Sequence, residues 1–341
     1  MPAAKPAPDV EVHAVVDSTT GLRAWIAIDD TSLGPAFGGC RFKHYADDDA
    51  AIADACRLAG GMSLKNALAG IPFGGGKAVI RAPDGDFDRA ALFEAFGRAV
   101  DALQGRYITA MDSGTETSDM DAIGRATRFV SGRTGVEGDP SPFTARGVFQ
   151  GIRAAVRHSL DRREFTGLTV AIQGAGHVGA ALAVLLADAG ARVLIADPVA
   201  QRAEQVAART GAAIVAVADL PTTPCDVLAP CGLGGILDAR VVDALHCRIV
   251  AGAANNQLAE PEVARLLVKR GITYVPDFVI NAGGVIHAAL AWQGVDEAEI
   301  GARVDRIGAT VTSILEGADR RGLLPVQTAW EHARGLIAAS A

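Results

Sequence analysis

The sequence predicts an α/β protein of two domains, the second built as a doubly wound parallel sheet. Three observations lead there. Strand-like and helix-like patterns alternate through both halves of the chain, the pattern of sheets covered by helices. A turn-rich stretch, Gly132-Arg-Thr-Gly-Val-Glu-Gly-Asp-Pro-Ser-Pro142, separates the halves, as linkers between domains do. In the second half, Gly174-Ala-Gly176-His-Val-Gly179 stands between a strand pattern and a helix pattern. The expected domains are residues 1–140 and 141–325, followed by a terminal helix over 326–341, with the terminal helices free to pack back on the first domain.

The elements follow in order. Val10–Val16 and Leu22–Ile28 read as strands joined by Asp17-Ser-Thr-Thr-Gly21, an antiparallel hairpin. Asp47–Ala59 places Ile52, Ala55, Cys56 and Ala59 on one helical face, and Gly60-Gly61 interrupts it. Lys77–Arg81 is a short strand, Arg89–Leu103 an amphipathic helix and Tyr107–Ala110 another strand. Ser118-Asp-Met-Asp121 has the form of a capping box. Beyond the linker, strands are predicted at Leu168–Gln173, Arg192–Ala196, Ala213–Val217, Asp226–Leu228 and Arg248–Gly252. Helices are predicted at Val178–Ala189 and Gln201–Arg209, and the tail is helical from Glu297 to about Gly322 and again over Val326–Ala339.

Composition narrows the function. At roughly 100–200 residues per domain, 341 residues suit two domains with a core each. The chain has 32 Lys+Arg against 39 Asp+Glu, a net charge of −7 with no block of one sign. Nucleic acid and acidic membrane surfaces are therefore not expected partners. No run of about 18 apolar residues occurs, so no membrane span is expected. The stretch Met1-Pro-Ala-Ala-Lys-Pro-Ala-Pro lacks an apolar signal region, which makes a cytoplasmic protein the expectation. Cys40, Cys56, Cys225, Cys231 and Cys247 form no CxxC pair, and no HExxH is present. Reduced thiols and no metal site are expected. Glycine is abundant, 39 residues in short clusters, as where backbone must approach a ligand.

The glycine motif after Thr169-Val-Ala-Ile-Gln173 assigns each glycine a task. Gly174 permits a tight turn, Gly176 lets backbone approach a pyrophosphate, and Gly179 lets the helix pack on the strand. The helix start at His177 and Val178 offers unpaired N–H groups to the phosphates. Asp197, 23 residues past Gly174, ends the next strand. A carboxylate there accepts ribose hydroxyls and repels a 2′-phosphate, so NAD is the expected cofactor. The alternative for Asp197 is a helix cap ahead of Pro198.

Lys65 and Lys77 lie in an otherwise uncharged, glycine-rich run, Gly60 to Ile80. Such a setting points to partly buried ammonium groups. A buried lysine near a second cation loses its proton more easily and can act as an acid or base near neutral pH. The alternative is a pair of surface lysines with buried stems.

These residues make the chain recognisable. It resembles the glutamate/leucine/phenylalanine/valine dehydrogenase family, in particular the branch acting on hydrophobic amino acids. The resemblance rests on Thr31-Ser-Leu-Gly-Pro-Ala-Phe-Gly-Gly-Cys-Arg41, the two-lysine stretch, Thr109-Ala-Met-Asp112-Ser-Gly-Thr and Ala229-Pro-Cys-Gly-Leu-Gly-Gly235. Ala251-Gly-Ala-Ala-Asn-Asn256-Gln and Pro276-Asp-Phe-Val-Ile-Asn281-Ala-Gly-Gly284 complete it, in family order across about 270 residues. It implies an N-terminal α/β substrate domain, a C-terminal Rossmann NAD-binding domain and an active-site cleft between them. By the same resemblance Lys77 is the general acid/base, Asp112 the catalytic carboxylate and Lys65 the partner of the substrate carboxylate. Phe37, Gly38, Val285 and Ala288 would surround the substrate side chain, and Asn255 and Asn256 would lie at nicotinamide and substrate. Arg41, Thr144, Cys231 and Ala253 would belong to the cofactor surround; Cys231 reads equally well as a buried thiol. Cys40, Met111 and Ser113 depart from the usual residues without removing a catalytic group.

The expected activity is reversible oxidative deamination of a hydrophobic L-amino acid to its 2-oxo acid and ammonium, coupled to NAD. The lining residues offer no charge to a γ-carboxylate, which disfavours glutamate. Branched aliphatic substrates are expected because Phe37 crowds an aromatic guest; an aromatic substrate is the alternative. A hydroxy-acid dehydrogenase would need a His/carboxylate pair with an arginine, and none stands out. A non-enzymatic NAD-binding regulator would have no use for Lys65, Lys77 and Asp112 together. A homo-oligomer is expected from the family.

Overall fold

Along Leu22-Arg-Ala-Trp-Ile-Ala-Ile28 every residue but Arg23 is apolar, so successive side chains can feed cores on both faces of the first sheet. The computed structural model, which describes residues 10–340, has both faces filled. Strands β1 (Glu11–Asp17) and β2 (Leu22–Asp30) form the expected antiparallel hairpin. Thr19 donates its backbone N–H to Asp17 Oδ1 at 2.8 Å, and Gly21 takes φ +74°, which closes the turn. There follow β3 (Ala36–Lys43), helix α1 (Asp48–Ala69), β4 (Gly74–Arg81), α2 (Arg89–Ala102), β5 (Tyr107–Met111) and α3 (Thr117–Gly124). The strand order is β1-β2-β4-β3-β5, with β3 parallel to β4 and β5. Leu22, Ala24, Ile26 and Ile28 pack with Leu92, Phe93 and Phe96 of α2 and with Met120 and Ile123 of α3. Trp25 and Ala27 belong to the opposite face, with Ala51, Ala55 and Ala59 of α1.

Helix α1 departs from the sequence reading, which interrupts it at Gly60-Gly61. It runs for 22 residues through both glycines, from the Asp47 cap to Gly70 at φ +64°. A glycine costs a helix about 1 kcal/mol relative to alanine, whereas burying one side chain such as Leu68 contributes about 1.5–3 kcal/mol. Packing on the sheet outweighs the local cost. Lys65 and Asn66 therefore sit on a helix. Strand β4 also starts earlier than expected, at Gly74. A Cβ on Gly75 would lie 2.0 Å from Ser63 Oγ and 2.2 Å from Ser63 N, and one on Gly76 would lie 2.9 Å from the Tyr107 ring. The bare backbone of β4 is what lets α1 and Tyr107 close on either side of it. At α3 the capping box is Glu116 with Asp119, two residues earlier than the one read from Ser118 and Asp121.

The second sheet is preceded by α4 (Ser141–Leu160), a helix the sequence reading does not contain. Then come β6 (Thr169–Gln173), α5 (His177–Asp188), β7 (Arg192–Ala196), α6 (Ala200–Thr210), β8 (Ala213–Ile214), β9 (Val227–Pro230), α7 (Ala239–Ala244), β10 (Ile249–Val250), α8 (Val263–Lys269) and β11 (Thr273–Tyr274). All pairings are parallel, in the order β11-β10-β9-β6-β7-β8. That order is two βαβαβ halves meeting between β6 and β9, the doubly wound sheet that the alternation predicts. Ala171, Leu194, Leu228, Val250 and Tyr274 from the strands share a core with Val242, Val263 and Leu267.

The chain ends in α9 (Asp277–Ile280), α10 (Gly283–Trp292), α11 (Glu297–Asp305), α12 (Ile307–Arg321) and α13 (Pro325–Ala338). The tail expected as one helix to Gly322 is thus two, broken at Arg306. Two units make up the described residues. The N-terminal unit holds 10–139, 288–297 and 333–340; the second holds 140–287 and 298–332. Residues 288–297 return to the N-terminal unit, which the sequence reading does not foresee. There Trp292 Nε1 donates to the Arg128 carbonyl at 3.1 Å and its ring meets Phe73 edge-on at 6.2 Å. Among the described residues no helix is long and apolar enough to cross a membrane, and no group of three or more His, Cys, Asp or Glu side chains could hold a metal ion.

The packing of α1 on β4 can be measured by paired glycine substitutions. Gly75→Ala forces a methyl group into the backbone of α1; overpacking of this kind costs about 3 kcal/mol, or about 6–12 °C in Tm for a unit of this size. Gly61→Ala meets nothing within 4 Å and should raise Tm by about 1–4 °C, since alanine suits a helix interior better by about 0.5–1 kcal/mol. Thermal melts followed by circular dichroism test both; equal effects would contradict the close approach at Gly75.

Candidate active site

Strand register brings three charged side chains of the N-terminal unit together. Cys40 of β3 pairs with Met111 of β5, so Arg41 comes level with Asp112, while Lys77 stands on β4, the other neighbour of β3. Lys77 Nζ lies 3.1 Å and Arg41 Nε 2.9 Å from the same oxygen, Asp112 Oδ2. Glycines make the approach possible. A Cβ on Gly39 would lie 2.4 Å from the Met111 carbonyl oxygen, and one on Gly114, at φ +84°, 1.9 Å from that of Phe42. The loop is tied by Thr115, whose Oγ1 accepts the Asp112 N–H at 2.9 Å.

Burial sets the electrostatics. Lys77 is only 6% exposed. Burial pulls its proton affinity below the ordinary lysine range and Arg41 adds to this, while Asp112 opposes both. Burial alone would raise the Asp112 carboxyl, but Lys77 and Arg41 together hold it below the usual carboxylate range. Two cations and one carboxylate thus share a partly buried site, and the lysine is the group poised to give up a proton. Cys40, beside them, donates to the Ala110 carbonyl at 3.5 Å, and burial pushes its thiol up to about 12, so it stays neutral.

The remaining residues expected around the substrate divide between the units. Lys65 is half-buried on α1, next to Asn66, whose Nδ2 donates to the carbonyls of Phe37 and Gly74 at 3.1 and 2.7 Å. Phe37 is buried, its ring 5.3 Å from that of Phe73. Gly38 has no room for a side chain: a Cβ would lie 1.9 Å from the Gly76 carbonyl oxygen. Ala288, on α10, belongs to the same unit, and its carbonyl accepts from Ser131 Oγ at 3.0 Å. Val285, one turn earlier, belongs to the second unit.

In the second unit the glycine turn leads from β6 into α5. Gly174 takes φ +101° and donates its N–H to the Ala196 carbonyl at 2.7 Å. A Cβ on Gly179 would lie 1.9 Å from the Gly174 carbonyl oxygen, whereas one on Gly176 would meet nothing within 4 Å. The turn is therefore packed behind and open in front. The N-cap of α5 is Gly176, which has no side chain to bond the helix start ahead of His177 and Val178, the arrangement found where helix N–H groups take a phosphate. Asp197 follows β7; its Oδ2 accepts the Ala175 N–H at 2.7 Å and its Oδ1 the Val199 N–H at 2.8 Å. It is not the cap of α6, which is Val199. A carboxylate oxygen has capacity beyond one N–H, so the same group can take ribose hydroxyls. An open glycine turn, a helix start capped by a glycine and this carboxylate fit a nicotinamide dinucleotide.

The strand ends beside the turn carry the other residues. Cys231, just past β9, donates its N–H to the Gln173 carbonyl at 2.7 Å; burial pushes its thiol up to about 12 as well. The Asn256 carbonyl accepts from Gly235 N at 2.7 Å, and its φ of +51° turns the chain there. Asn255 Oδ1 accepts from Asn281 Nδ2 at 2.7 Å, and the same Nδ2 reaches the Ala253 carbonyl at 3.0 Å. Asn281 thereby orients the Asn255 amide, a role not foreseen although Asn281 lies in a segment that carries the resemblance. Thr144, on α4, faces Gly284, whose Cβ would lie 2.7 Å from Thr144 Oγ1. Arg41, expected with the cofactor, is bound to Asp112 and, through Nη1 at 3.1 Å, to Asp54. Asp54 is a second residue that sequence reasoning misses.

Comparison with known proteins identifies the family. The Glu/Leu/Phe/Val dehydrogenase dimerisation domain matches residues 6–129, and the Glutamate/Leucine/Phenylalanine/Valine dehydrogenase domain matches 195–318. A leucine dehydrogenase of Thermoactinomyces intermedius is 41% identical over 310 residues, 90% of this chain and 85% of that protein. A valine dehydrogenase of Streptomyces virginiae is 43% identical over 320 residues, 92% and 89% of the two chains. The crystal structure of L-tryptophan dehydrogenase from Nostoc punctiforme superposes with a TM-score of 0.88 at 38% identity, covering 97% of this chain and 96% of the other. A hetero-hexameric glutamate dehydrogenase from Thermus thermophilus, 21% identical over 99% of this chain and 90% of its own, shares the fold with a TM-score of 0.78. With both domains matched in order and such identities over nine-tenths of its length, the chain belongs to the glutamate/leucine/phenylalanine/valine dehydrogenase family.

Proposed function

We propose that the protein catalyses the reversible NAD⁺-dependent oxidative deamination of a branched aliphatic L-amino acid, releasing the 2-oxo acid and ammonium. The observation that carries this reading is the buried Lys77 held 3.1 Å from Asp112, a base kept ready beside a carboxylate, in a chain with an open dinucleotide turn. The leucine and valine dehydrogenases among its relatives support the side-chain class. The matched dimerisation domain supports an oligomer, and we take it to be built of identical chains.

The residues divide the work by chemistry. Lys65 holds the substrate carboxylate as a point charge. Asp112 receives the substrate amine. A nicotinamide dinucleotide held at the Gly174–Gly179 turn and Asp197 would supply the acceptor for the hydride of Cα. Water then adds to the iminium carbon, and neutral Lys77 takes the water proton; it returns a proton to the amine as ammonium leaves. Asn255, oriented by Asn281, positions cofactor or substrate with its amide. Asp197 selects NAD⁺ by repelling a 2′-phosphate.

An aromatic substrate is the second reading, supported by the tryptophan dehydrogenase structure at 38% identity. NADH formation with valine, leucine, phenylalanine and tryptophan decides: kcat/KM highest for leucine or valine is the expected result. Highest for an aromatic substrate would install the second reading, and silence with every amino acid would remove both.

Lys77→Ala should lower kcat by about a hundredfold or more, the scale of a lost general base, with NAD⁺ affinity unchanged. In the wild-type enzyme kcat/KM should rise with pH as Lys77 loses its proton, through a limb below the ordinary lysine range. Asp112 holds that proton on, so Asp112→Asn should carry the residual activity's limb to lower pH. A limb that moves upward would contradict the pairing.

Cofactor choice is tested by calorimetric titration. Asp197→Ser should weaken NAD⁺ binding by about tenfold, the loss of one charged hydrogen-bond acceptor, and should strengthen NADP⁺ binding. Unchanged NAD⁺ affinity would restrict Asp197 to bracing the Ala175 and Val199 amides.

A further inference from the structure

Asp54 touches neither Lys77 nor Asp112, yet its carboxylate is where three donors meet. Arg41 Nη1 lies 3.1 Å and Tyr45 OH 2.7 Å from Oδ2, and Arg57 Nη2 lies 2.6 Å from Oδ1. The Asp54 side chain is 14% exposed and that of Arg41 18%, so neither is a surface ion pair of the kind that water and salt screen away. The position follows from α1: Asp54 lies two turns into the helix, on the stretch that covers β4. Burial would raise its carboxyl, but Tyr45, Arg57 and Arg41 together hold it below the usual range, so it is charged throughout the working pH range.

A guanidinium carries its donors in one rigid plane. Fastening Nη1 to Asp54 therefore fixes where Nε points, and Nε points at Asp112 Oδ2, 2.9 Å away. Lys77 Nζ meets that same oxygen, so Oδ1 of Asp112 lies outside both contacts. An arginine left with a single buried carboxylate tends to take both of its oxygens in a fork. Asp54 gives Arg41 a second carboxylate to answer, which keeps it from doing so.

Resting on the dehydrogenase reading above, we propose that Asp54 is a positioning residue: it aims Arg41 so that Asp112 is held by one oxygen and keeps the other for the substrate amine. Without Asp54, Arg41 would close over Asp112 as a fork and cover the oxygen the amine needs. The defect would thus be transmitted by Arg41 and would vanish in its absence. A general loosening of α1 would behave differently, adding to any loss at Arg41.

A double-mutant cycle on the full-length enzyme separates the two, with leucine and NAD⁺ as substrates. Asp54→Ala should lower kcat about tenfold, the scale of a hydrogen bond to a charged group, with KM for NAD⁺ unchanged. Asp54→Asn keeps an acceptor for Nη1 and should lose less. The double variant Asp54→Ala/Arg41→Ala should be no slower than Arg41→Ala alone, since residues acting through one another are not additive. Losses that multiply, or Asp54→Ala with wild-type kcat, would overturn the proposal. Should Asp54→Ala fail to fold, Asp54→Asn enters the same cycle and is judged the same way. Absence of NADH from the wild-type enzyme with every amino acid would remove the dehydrogenase reading and this proposal together; normal wild-type turnover with multiplying losses would remove this proposal alone.

Discussion

An ammonium group taken out of water must find a carboxylate or lose its proton, and the N-terminal unit is arranged around how Lys77 meets that demand. Asp112 supplies the carboxylate at 3.1 Å, and Arg41 shares it at 2.9 Å. The result is a compromise. A single cation against Asp112 would keep its proton firmly; with Arg41 also present and its own ammonium buried, Lys77 is left less basic than a free lysine. Every close approach nearby serves this geometry. Gly39 admits the end of β5, Gly114 turns the loop that carries Asp112, and Gly75 admits α1.

The second unit meets a different demand with the same means. Backbone N–H groups bind phosphate only if nothing stands in front of them and something holds them from behind. Gly176 leaves the front open, and Gly179 with Gly174 closes the back. Asp197 bonds to the Ala175 amide in the turn itself, so the carboxylate suited to ribose also braces the loop suited to pyrophosphate. Change at one point of this turn is felt at the other.

Much of this was legible in the residues. The apolar run Leu22–Ile28 marked a strand, and the motif from Gly174 to Gly179 marked a strand, a turn and a helix. Other features were not, and three of them show the physical reasons. Helix α1 continues past Gly60-Gly61 because packing against β4 outweighs the local penalty, and packing partners distant in sequence are invisible to periodicity. Strand β3 and the first half of β4 are rich in glycine, which weakens any strand pattern although the sheet requires those glycines. Asp54 looks like one more acid on a helix; only the fold brings Arg41 and Tyr45 to it. Lys65 and Lys77 stood out because charge in an apolar run is conspicuous, and Asp112 and Arg41 came only with the family resemblance, whereas their supports are ordinary residues in ordinary places.

The path of the chain between the two units bears on how such enzymes can be recombined. The polypeptide passes from one unit to the other at 139/140, 287/288, 297/298 and 332/333. A single cut in the 132–142 linker would therefore not release a self-sufficient N-terminal fragment. It would strip away Trp292, leaving the Arg128 carbonyl without its indole donor and Phe73 without its edge-on neighbour. A chimaera that borrows a foreign nucleotide-binding half must carry the native 288–297 segment back into place, with junctions on both sides of it. One of those junctions falls inside α10, a continuous helix, so the exchange has to preserve its register as well as its ends. Modularity here is a property of the folded units and not of contiguous stretches of sequence.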